Sequence, residues 1–158
     1  MPTSPQSFRL GTHLRADRIL DLKSTSKEEA LREMVDVLRD APEVTDLEDF
    51  YKAILQREKT MSTGLGIGLA LPHVKIPSVR DFVVVLGRKR EGIEFESLDK
   101  KPAYIIILVG ASQKQHKEFL LVIARIAQLF RDENVRDEIL NAESREEILE
   151  IIQKHEVP

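Results

Sequence analysis

The stretch from residue 82 to residue 109 contains two apolar runs that decide the fold. Residues 82–86 read Phe-Val-Val-Val-Leu, and residues 104–109 read Tyr-Ile-Ile-Ile-Leu-Val. Both runs are rich in β-branched residues and lack polar alternation, which is typical of strands buried on both faces of a sheet. The polar stretch between them carries a short Ile93/Phe95 alternation that is compatible with an edge strand.

Amphipathic helices are predicted on both sides of these strands along the chain. Capping-box sequences begin at Ser26, Thr45 and Ser144, each with a Glu three residues later and apolar residues at helical spacing behind it. A longer apolar stripe of helical period starts near Gln115. We therefore predict a single α/β domain whose central sheet is covered by helices on both faces.

Length and composition agree with one domain and exclude several functions. The chain has 158 residues, of which 42% are hydrophobic and 32% charged, so it has enough apolar material for a core. Its net charge of -3 gives no electrostatic reason to expect nucleic acid or an anionic membrane as a partner. The absence of cysteine excludes disulfides, thiol catalysis and cysteine-ligated metal sites.

No targeting or membrane-spanning segment is visible in the sequence. Residues 1–10 lack the apolar core of a signal peptide, and the run from Ala103 to Val109 is too short to cross a membrane. We therefore expect a cytoplasmic protein without membrane insertion. The polar residues 1–10 are predicted to form a flexible N-terminal tail, and residues 11–158 to form the domain.

Among the four histidines, His73 has the context most typical of a functional site. It ends the glycine-rich stretch 62–73, Ser-Thr-Gly-Leu-Gly-Ile-Gly-Leu-Ala-Leu-Pro-His. Because Pro72 has a fixed φ and holds Leu71 extended, His73 is expected at a rigid exit from a strand. Sites in α/β folds often lie at strand ends. The alternative, a half-buried histidine with a hydrogen bond, stays open.

The histidines and glycines do not match the motifs of metal or nucleotide sites. The histidines show no metal-ligand spacing, and the glycines fit neither a dinucleotide nor a P-loop motif, so neither a metal nor a cofactor is predicted. Arg57 precedes the glycine-rich stretch. Its guanidinium is suited to pair with a phosphate held by His73, and the alternative is a solvated surface arginine.

Residues 57–73, Arg-Glu-Lys-Thr-Met-Ser-Thr-Gly-Leu-Gly-Ile-Gly-Leu-Ala-Leu-Pro-His, resemble the active-site signature of the IIA proteins of the bacterial phosphotransferase system. The similarity is to the fructose/mannitol branch, which includes nitrogen-regulatory IIA proteins. It extends over residues 21–38, 91–109 and 129–152, and so covers nearly the whole chain after residue 10. The resemblance implies a central mixed β-sheet flanked by helices on both faces.

The resemblance also implies a function and a set of site residues. His73 would accept a phosphoryl group from a histidine phosphocarrier protein, and Arg57 matches the arginine of the family in type and spacing. A neutral imidazole is a usable nucleophile near pH 7, and phosphoryl transfer needs mainly positioning and charge stabilisation. Backbone N–H groups near Ser62, Thr63 and the glycines that follow them are expected to bind the phosphate.

The sequence departs from the family pattern in two places. Val74 stands where the family usually has glycine, and an ungapped alignment puts Phe119 where the family has a second histidine. His116 lies three residues earlier and would share a helix face with that position. Two interpretations stay open: His116 reaches the phosphoryl site, or it is an ordinary polar residue near a helix start.

Three functional variants follow from the resemblance. The chain is a regulator whose phosphorylation state controls a target protein, or a separate IIA transport subunit that donates phosphate to a IIB subunit. The lack of a IIB-like cysteine and of a membrane domain favours the regulatory, nitrogen-type variant. The third variant is a non-catalytic binding module with the same fold. The sequence leaves the oligomeric state open.

Overall fold

A computed structural model describes residues 9–156. In chain order the elements are α1 (Leu10–His13), a 3₁₀ turn (Ala16–Arg18), β1 (Ile19–Asp21), α2 (Lys27–Asp36), α3 (Leu47–Thr60), β2 (Gly64–Gly66), β3 (Leu69–Ala70), β4 (His73–Lys75), β5 (Val83–Ile93), β6 (Ala103–Ala111), a second 3₁₀ turn (Gln113–Gln115), α4 (His116–Arg131), α5 (Glu133–Asn141) and α6 (Arg145–His155).

The strands form one mixed sheet in the order β1-β5-β6-β3-β2, and β4 also pairs with β6. β5 and β6 are antiparallel, whereas β1 is parallel to β5, and both β3 and β4 are parallel to β6. The two apolar runs of the sequence are the central strands β5 and β6. The mixed sheet that the resemblance implied is confirmed.

Each face of the sheet carries its own apolar cluster. Alternate residues of β5 and β6 point to opposite faces, so Val84 and Ile107 join one cluster while Val85 and Ile106 join the other. The first cluster is completed by α1, α4, α5 and α6, and the second by α2 and α3. This arrangement confirms the prediction of helices on both faces.

Two of the three predicted helix caps are confirmed. The side chains of Ser26 and Ser144 accept hydrogen bonds from the backbone N–H groups three residues later. The third prediction is wrong by one residue, because Asp46 rather than Thr45 caps α3. The Thr45 hydroxyl instead donates to the carbonyl of Ser78 at 3.1 Å, so a contact distant in sequence takes Thr45 away from the helix.

Two further expectations are refined by the structure. Ile93 does not form a separate edge strand: it ends β5 and pairs with Ala103 after a register shift, and Phe95 lies beyond the strand in the core. Most of the predicted tail, residues 1–8, lies outside the described residues. Leu10, its last residue, begins α1 and is buried, so the domain includes it.

Within residues 9–156, no helix has the length and apolar character that crossing a membrane requires.

Candidate active site

His73 begins a short strand directly after the glycine-rich segment. β2 and β3 form a tight hairpin whose turn has positive φ at Gly66, Ile67 and Gly68. The chain then passes Pro72, whose carbonyl accepts a hydrogen bond from Val109, and His73 opens β4. The sequence predicted His73 at the exit from a strand; the structure instead places it at the start of β4, with Leu71 and Pro72 between β3 and β4.

One nitrogen of the His73 imidazole is hydrogen-bonded, and the other has no hydrogen-bond partner among residues 9–156. Nδ1 lies 2.6 Å from the carbonyl oxygen of Leu71. A carbonyl only accepts, so Nδ1 carries the hydrogen and donates it, which leaves the lone pair on Nε2. This assignment makes Nε2 the nucleophilic atom of the ring.

Burial lowers the pKa of His73, and that effect exceeds the influence of the nearby groups. The hydrogen bond to Leu71 raises this pKa, the charge of Arg57 lowers it and the charge of Glu58 raises it. The net direction is downward, so the folded protein favours the neutral imidazole. A neutral ring at neutral pH is the form that can attack phosphorus.

Phe119 is the residue of α4 that lies beside His73. The two ring centroids are 5.6 Å apart and the ring planes are inclined by 52°. Phe119 is buried, with 7% of its surface exposed. The helix thus brings an apolar ring to the imidazole.

His116 lies one turn earlier, as the exposed first residue of α4. Its Nδ1 accepts a hydrogen bond from Nζ of Lys75 at 2.9 Å. In the described part of the chain, His116 makes neither a hydrogen bond nor a ring contact with His73. Its participation in phosphoryl transfer stays a prediction.

Arg57 lies in the last turn of α3 and is half-buried. Its Nη1 donates to the carbonyl of Met61 at 2.9 Å, which folds the side chain back over the helix end. Nε and Nη2 have no partner among residues 9–156. Since the charge of Arg57 also acts on His73, these free donors are available for an anion near the imidazole.

Ser62 and Thr63 use their hydroxyl groups within the protein. The Thr63 hydroxyl donates to Glu58 at 2.6 Å, and the Ser62 hydroxyl donates to the carbonyl of Phe95 at 2.6 Å. The backbone N–H of Thr63 also donates to Glu58, whereas that of Ser62 has no partner in the described chain. Phosphate binding by these two residues stays a prediction, and only the Ser62 N–H is free for it without rearrangement.

Glu58 was not predicted from the sequence, although it organises this segment. It is 6% exposed, and Nζ of Lys27 lies 3.0 Å from its Oε1. Lys27 also lies 4.5 Å above the ring of Phe95. A signal was present in the sequence: Glu58 follows Phe50 and Ile54 at helical spacing, so an acidic residue occupies the buried stripe of α3.

Exposed apolar side chains occur on the elements that carry the site. Met61 is 67% exposed and Ile67 is 50% exposed. Such side chains near a reactive group are typical of a protein docking surface. Among the described residues, no cluster of three or more His, Asp or Glu side chains is arranged to hold a metal ion.

Comparison with known proteins places this geometry in a family. The family model described as "Phosphoenolpyruvate-dependent sugar phosphotransferase system, EIIA 2" matches residues 13–155. The chain is 36% identical over 137 residues to a PTS system fructose-specific EIIABC component of Bacillus subtilis. That match covers 87% of this chain but only 22% of the relative, which is a much longer protein.

Solved structures show the same fold. The nitrogen regulatory protein IIA-Ntr from Neisseria meningitidis has a TM-score of 0.84 and 28% identity, with 90% of this chain and 98% of that chain covered. The mannitol enzyme IIA of Escherichia coli, solved in complex with phosphorylated enzyme IIB, has a TM-score of 0.75 and 26% identity, with 89% and 99% covered.

Proposed function

The chain belongs to the EIIA type-2 family of the phosphoenolpyruvate-dependent sugar phosphotransferase system, and on that premise we propose that it carries a phosphoryl group on Nε2 of His73. Members of this family are phosphotransferase components. The observation that carries the proposal is the Nδ1 contact to Leu71, because it leaves the lone pair of a neutral imidazole on Nε2.

The proposed step is an in-line transfer between two imidazoles. The Nε2 lone pair of His73 attacks the phosphorus of a phosphohistidine on the donor protein. A new N–P bond forms, the donor N–P bond breaks and its electron pair returns to the donor imidazole. The hydrogen of His73 stays bound to Nδ1 and keeps its hydrogen bond to the Leu71 carbonyl oxygen, which stabilises the charge that develops on the ring.

Arg57 is proposed to stabilise the phosphoryl group during transfer. Its Nε and Nη2 are unpaired in the described chain, and a guanidinium forms strong charge-assisted hydrogen bonds to phosphate oxygens. We propose Ser62 and Thr63 as further phosphate ligands, with the free backbone N–H of Ser62 as the first donor. No metal ion and no nucleotide enters this mechanism.

The donor that we propose is a histidine phosphocarrier protein, and the protein would meet it in the cytoplasm. The recipient is a regulated target protein or a IIB subunit. The structural similarity to IIA-Ntr supports the regulatory variant. The similarity to the fructose component and to the mannitol enzyme IIA supports the alternative, a sugar-transport subunit.

Phosphorylation in a reconstituted system tests the proposal. The protein is incubated with phosphoenolpyruvate, enzyme I and the histidine phosphocarrier protein, and its intact mass is measured. We expect an acid-labile increase of one phosphate that is absent from His73→Ala. If the wild-type chain stays unmodified while a known IIA protein is labelled in the same mixture, the chain is a non-catalytic binding module.

A second arm separates the two phosphorylated variants. The phosphorylated protein is mixed with a fructose-type IIB subunit, and the phosphate on each partner is followed by mass. Loss of the phosphate from His73 with its gain on the IIB cysteine supports the transport subunit. Retention of the phosphate on His73 supports the regulator.

A further inference from the structure

The ring of Phe119 lies against the imidazole that we propose as the phosphoryl acceptor. Resting on the proposed function, we infer that Phe119 is a positioning residue for phosphoryl transfer. It holds the His73 ring so that Nε2 faces the incoming phosphorus, and it keeps water from the covered part of the ring.

The orientation of His73 is determined from two sides. The Leu71 carbonyl holds Nδ1 at 2.6 Å, and the Phe119 ring packs at 5.6 Å between centroids with a 52° tilt. Tilted aromatic pairs at about 4.5–7 Å are favourable arrangements. Because rotation of the imidazole about its side-chain bonds would break both contacts, Nε2 points in one direction before any partner arrives.

Phe119 is itself held in place and does not move as a free surface ring. It is 7% exposed and belongs to the same buried cluster as Leu71 and Val109, which flank His73 in sequence and in the sheet. The next turns of α4 extend this cluster with Val122 and Ile126. Its position is therefore set by the core and not by the reacting groups.

The groups that act on His73 from α3 and β4 are polar or charged, whereas Phe119 on α4 is apolar. The charges of Arg57 and Glu58, both on α3, act on His73 in opposite directions: Arg57 lowers its pKa and Glu58 raises it. Lys75 follows on the same face of β4, and its Nζ is hydrogen-bonded to His116 of α4. In the described chain, α4 offers no hydrogen-bond partner to His73.

Burial is the largest cause of the lowered pKa of His73, and Phe119 contributes part of that burial. Truncating Phe119 lets water reach the imidazole and stabilises its protonated form. The pKa of His73 then rises toward the ordinary histidine value. A larger fraction of the protein is consequently protonated, and unable to attack, at mildly acidic pH.

The test compares Phe119→Ala with Phe119→Leu, which keeps an apolar side chain of similar bulk, and with Leu120→Ala as the matched control. Leu120 is the exposed neighbour on the same helix. The His73 imidazole is titrated by NMR in each protein. We expect His73 to titrate at higher pH in Phe119→Ala, at nearly the wild-type pH in Phe119→Leu and at the wild-type pH in Leu120→Ala.

The phosphorylation rate is then measured against pH with saturating phosphocarrier. For Phe119→Ala we expect a rate constant several-fold below that of wild type at about pH 5.5. The deficit should be smaller at alkaline pH, where His73 is neutral in both proteins. Phe119→Leu should recover most of the acidic-side loss. A merely structural role would instead lower the rate equally at every pH.

The outcomes separate this inference from the proposed function. If Phe119→Ala shows the wild-type titration and the wild-type pH profile, Phe119 has no positioning role, although His73 remains a phosphoryl carrier. If the wild-type protein is not phosphorylated at all, the proposed function fails. The NMR titration needs no phosphorylation, so it still tests the contact between the two rings.

Discussion

The carboxylate of Glu58 accepts two hydrogen bonds from Thr63, one from its backbone N–H at 3.0 Å and one from its hydroxyl at 2.6 Å. The same carboxylate pairs with Lys27 from the start of α2. The end of α3 and the loop that leads to the glycine-rich hairpin are thereby tied together. Arg57, whose charge acts on His73, precedes Glu58 at this end of α3.

Glu58→Ala should weaken both the fold and the phosphorylation of His73. The substitution removes the carboxylate nearest to the partly buried cation of Lys27, which keeps only its longer contact to Glu96 as an ion pair, and leaves two donors of Thr63 without their acceptor. These losses should cost about 2–4 kcal/mol of unfolding free energy. Urea unfolding measures this loss. Lys59→Ala, an exposed change one residue away, is the control and should stay within about 0.5 kcal/mol of wild type. Equal midpoints for the two variants would contradict the role given to Glu58.

Gly64→Ala should disturb the hairpin that precedes His73. A Cβ at this position would lie 2.5 Å from Oγ and 2.8 Å from Cα of Ser97, closer than side chains tolerate. Overpacking of this kind costs about 1–3 kcal/mol. Adding Ser97→Gly removes Oγ but leaves the backbone of residue 97 in the way, so partial recovery of stability is expected in a double-mutant cycle. Strictly additive losses would show that the two residues do not interact.

Arg88→Met should be among the more destabilising substitutions in the chain. Arg88 is 2% exposed, and its Nη1 donates to the carbonyls of Ile139 and Ala142 at the end of α5, each at 2.7 Å. Its Nε also donates to Asp21. Loss of these bonds should lower the unfolding free energy by about 2–4 kcal/mol. The control is Arg90→Met, an exposed neighbour that contacts the same helix end, for which about 1 kcal/mol or less is expected.

Stability should fall as the pH is lowered through the ordinary pKa of histidine, about 6.5. Burial lowers the pKa of His73 in the folded protein, so the unfolded chain binds its proton first and unfolding is favoured in that range. The stability associated with the neutral imidazole of His73 is fully present above the pKa that this histidine has in the unfolded chain. Urea midpoints measured between about pH 8 and about pH 5.5 should fall less for His73→Gln than for wild type. Parallel curves for the two proteins would contradict the direction of the shift.

His116→Ala should be phosphorylated at nearly the wild-type rate. Nδ1 of His116 accepts a hydrogen bond from Lys75, whereas the imidazole of His73 contacts Phe119. Labelling rates of His116→Ala and wild type at neutral pH measure the difference. A loss of about tenfold or more, the size typical of a missing catalytic group, would assign His116 to the phosphoryl site.

Patterns that act over a few residues were predictable. The β-branched runs became β5 and β6 because strands buried on both faces have no polar positions. Ser26 and Ser144 cap their helices because a cap contacts a backbone group only three residues away. Pro72 restricts the residue before it by local sterics, so the sequence predicted an extended chain leading to His73. That His73 begins β4, and does not end the glycine-rich strand, was not predicted.

Interactions between distant residues were not predictable from local pattern. Asp46 replaces Thr45 as the cap because Ser78, far along the chain, binds the Thr45 hydroxyl. The structural role of Glu58 was not predicted because its partners Lys27, distant in sequence, and Thr63 meet it only in the folded chain.

The sequence by itself predicted an α/β domain and, through its resemblance to the IIA family, His73 and Arg57 as the pair to test and Phe119 in the place where the family has a second histidine. Only the tertiary structure decided which group of α4 meets the imidazole. Residues 116 and 119 share one helix face, so spacing allowed either side chain. The packing of α4 on the sheet buries Phe119 against His73 and leaves His116 in solvent beside Lys75, because the core accepts the apolar ring and the exposed helix end accepts the polar one.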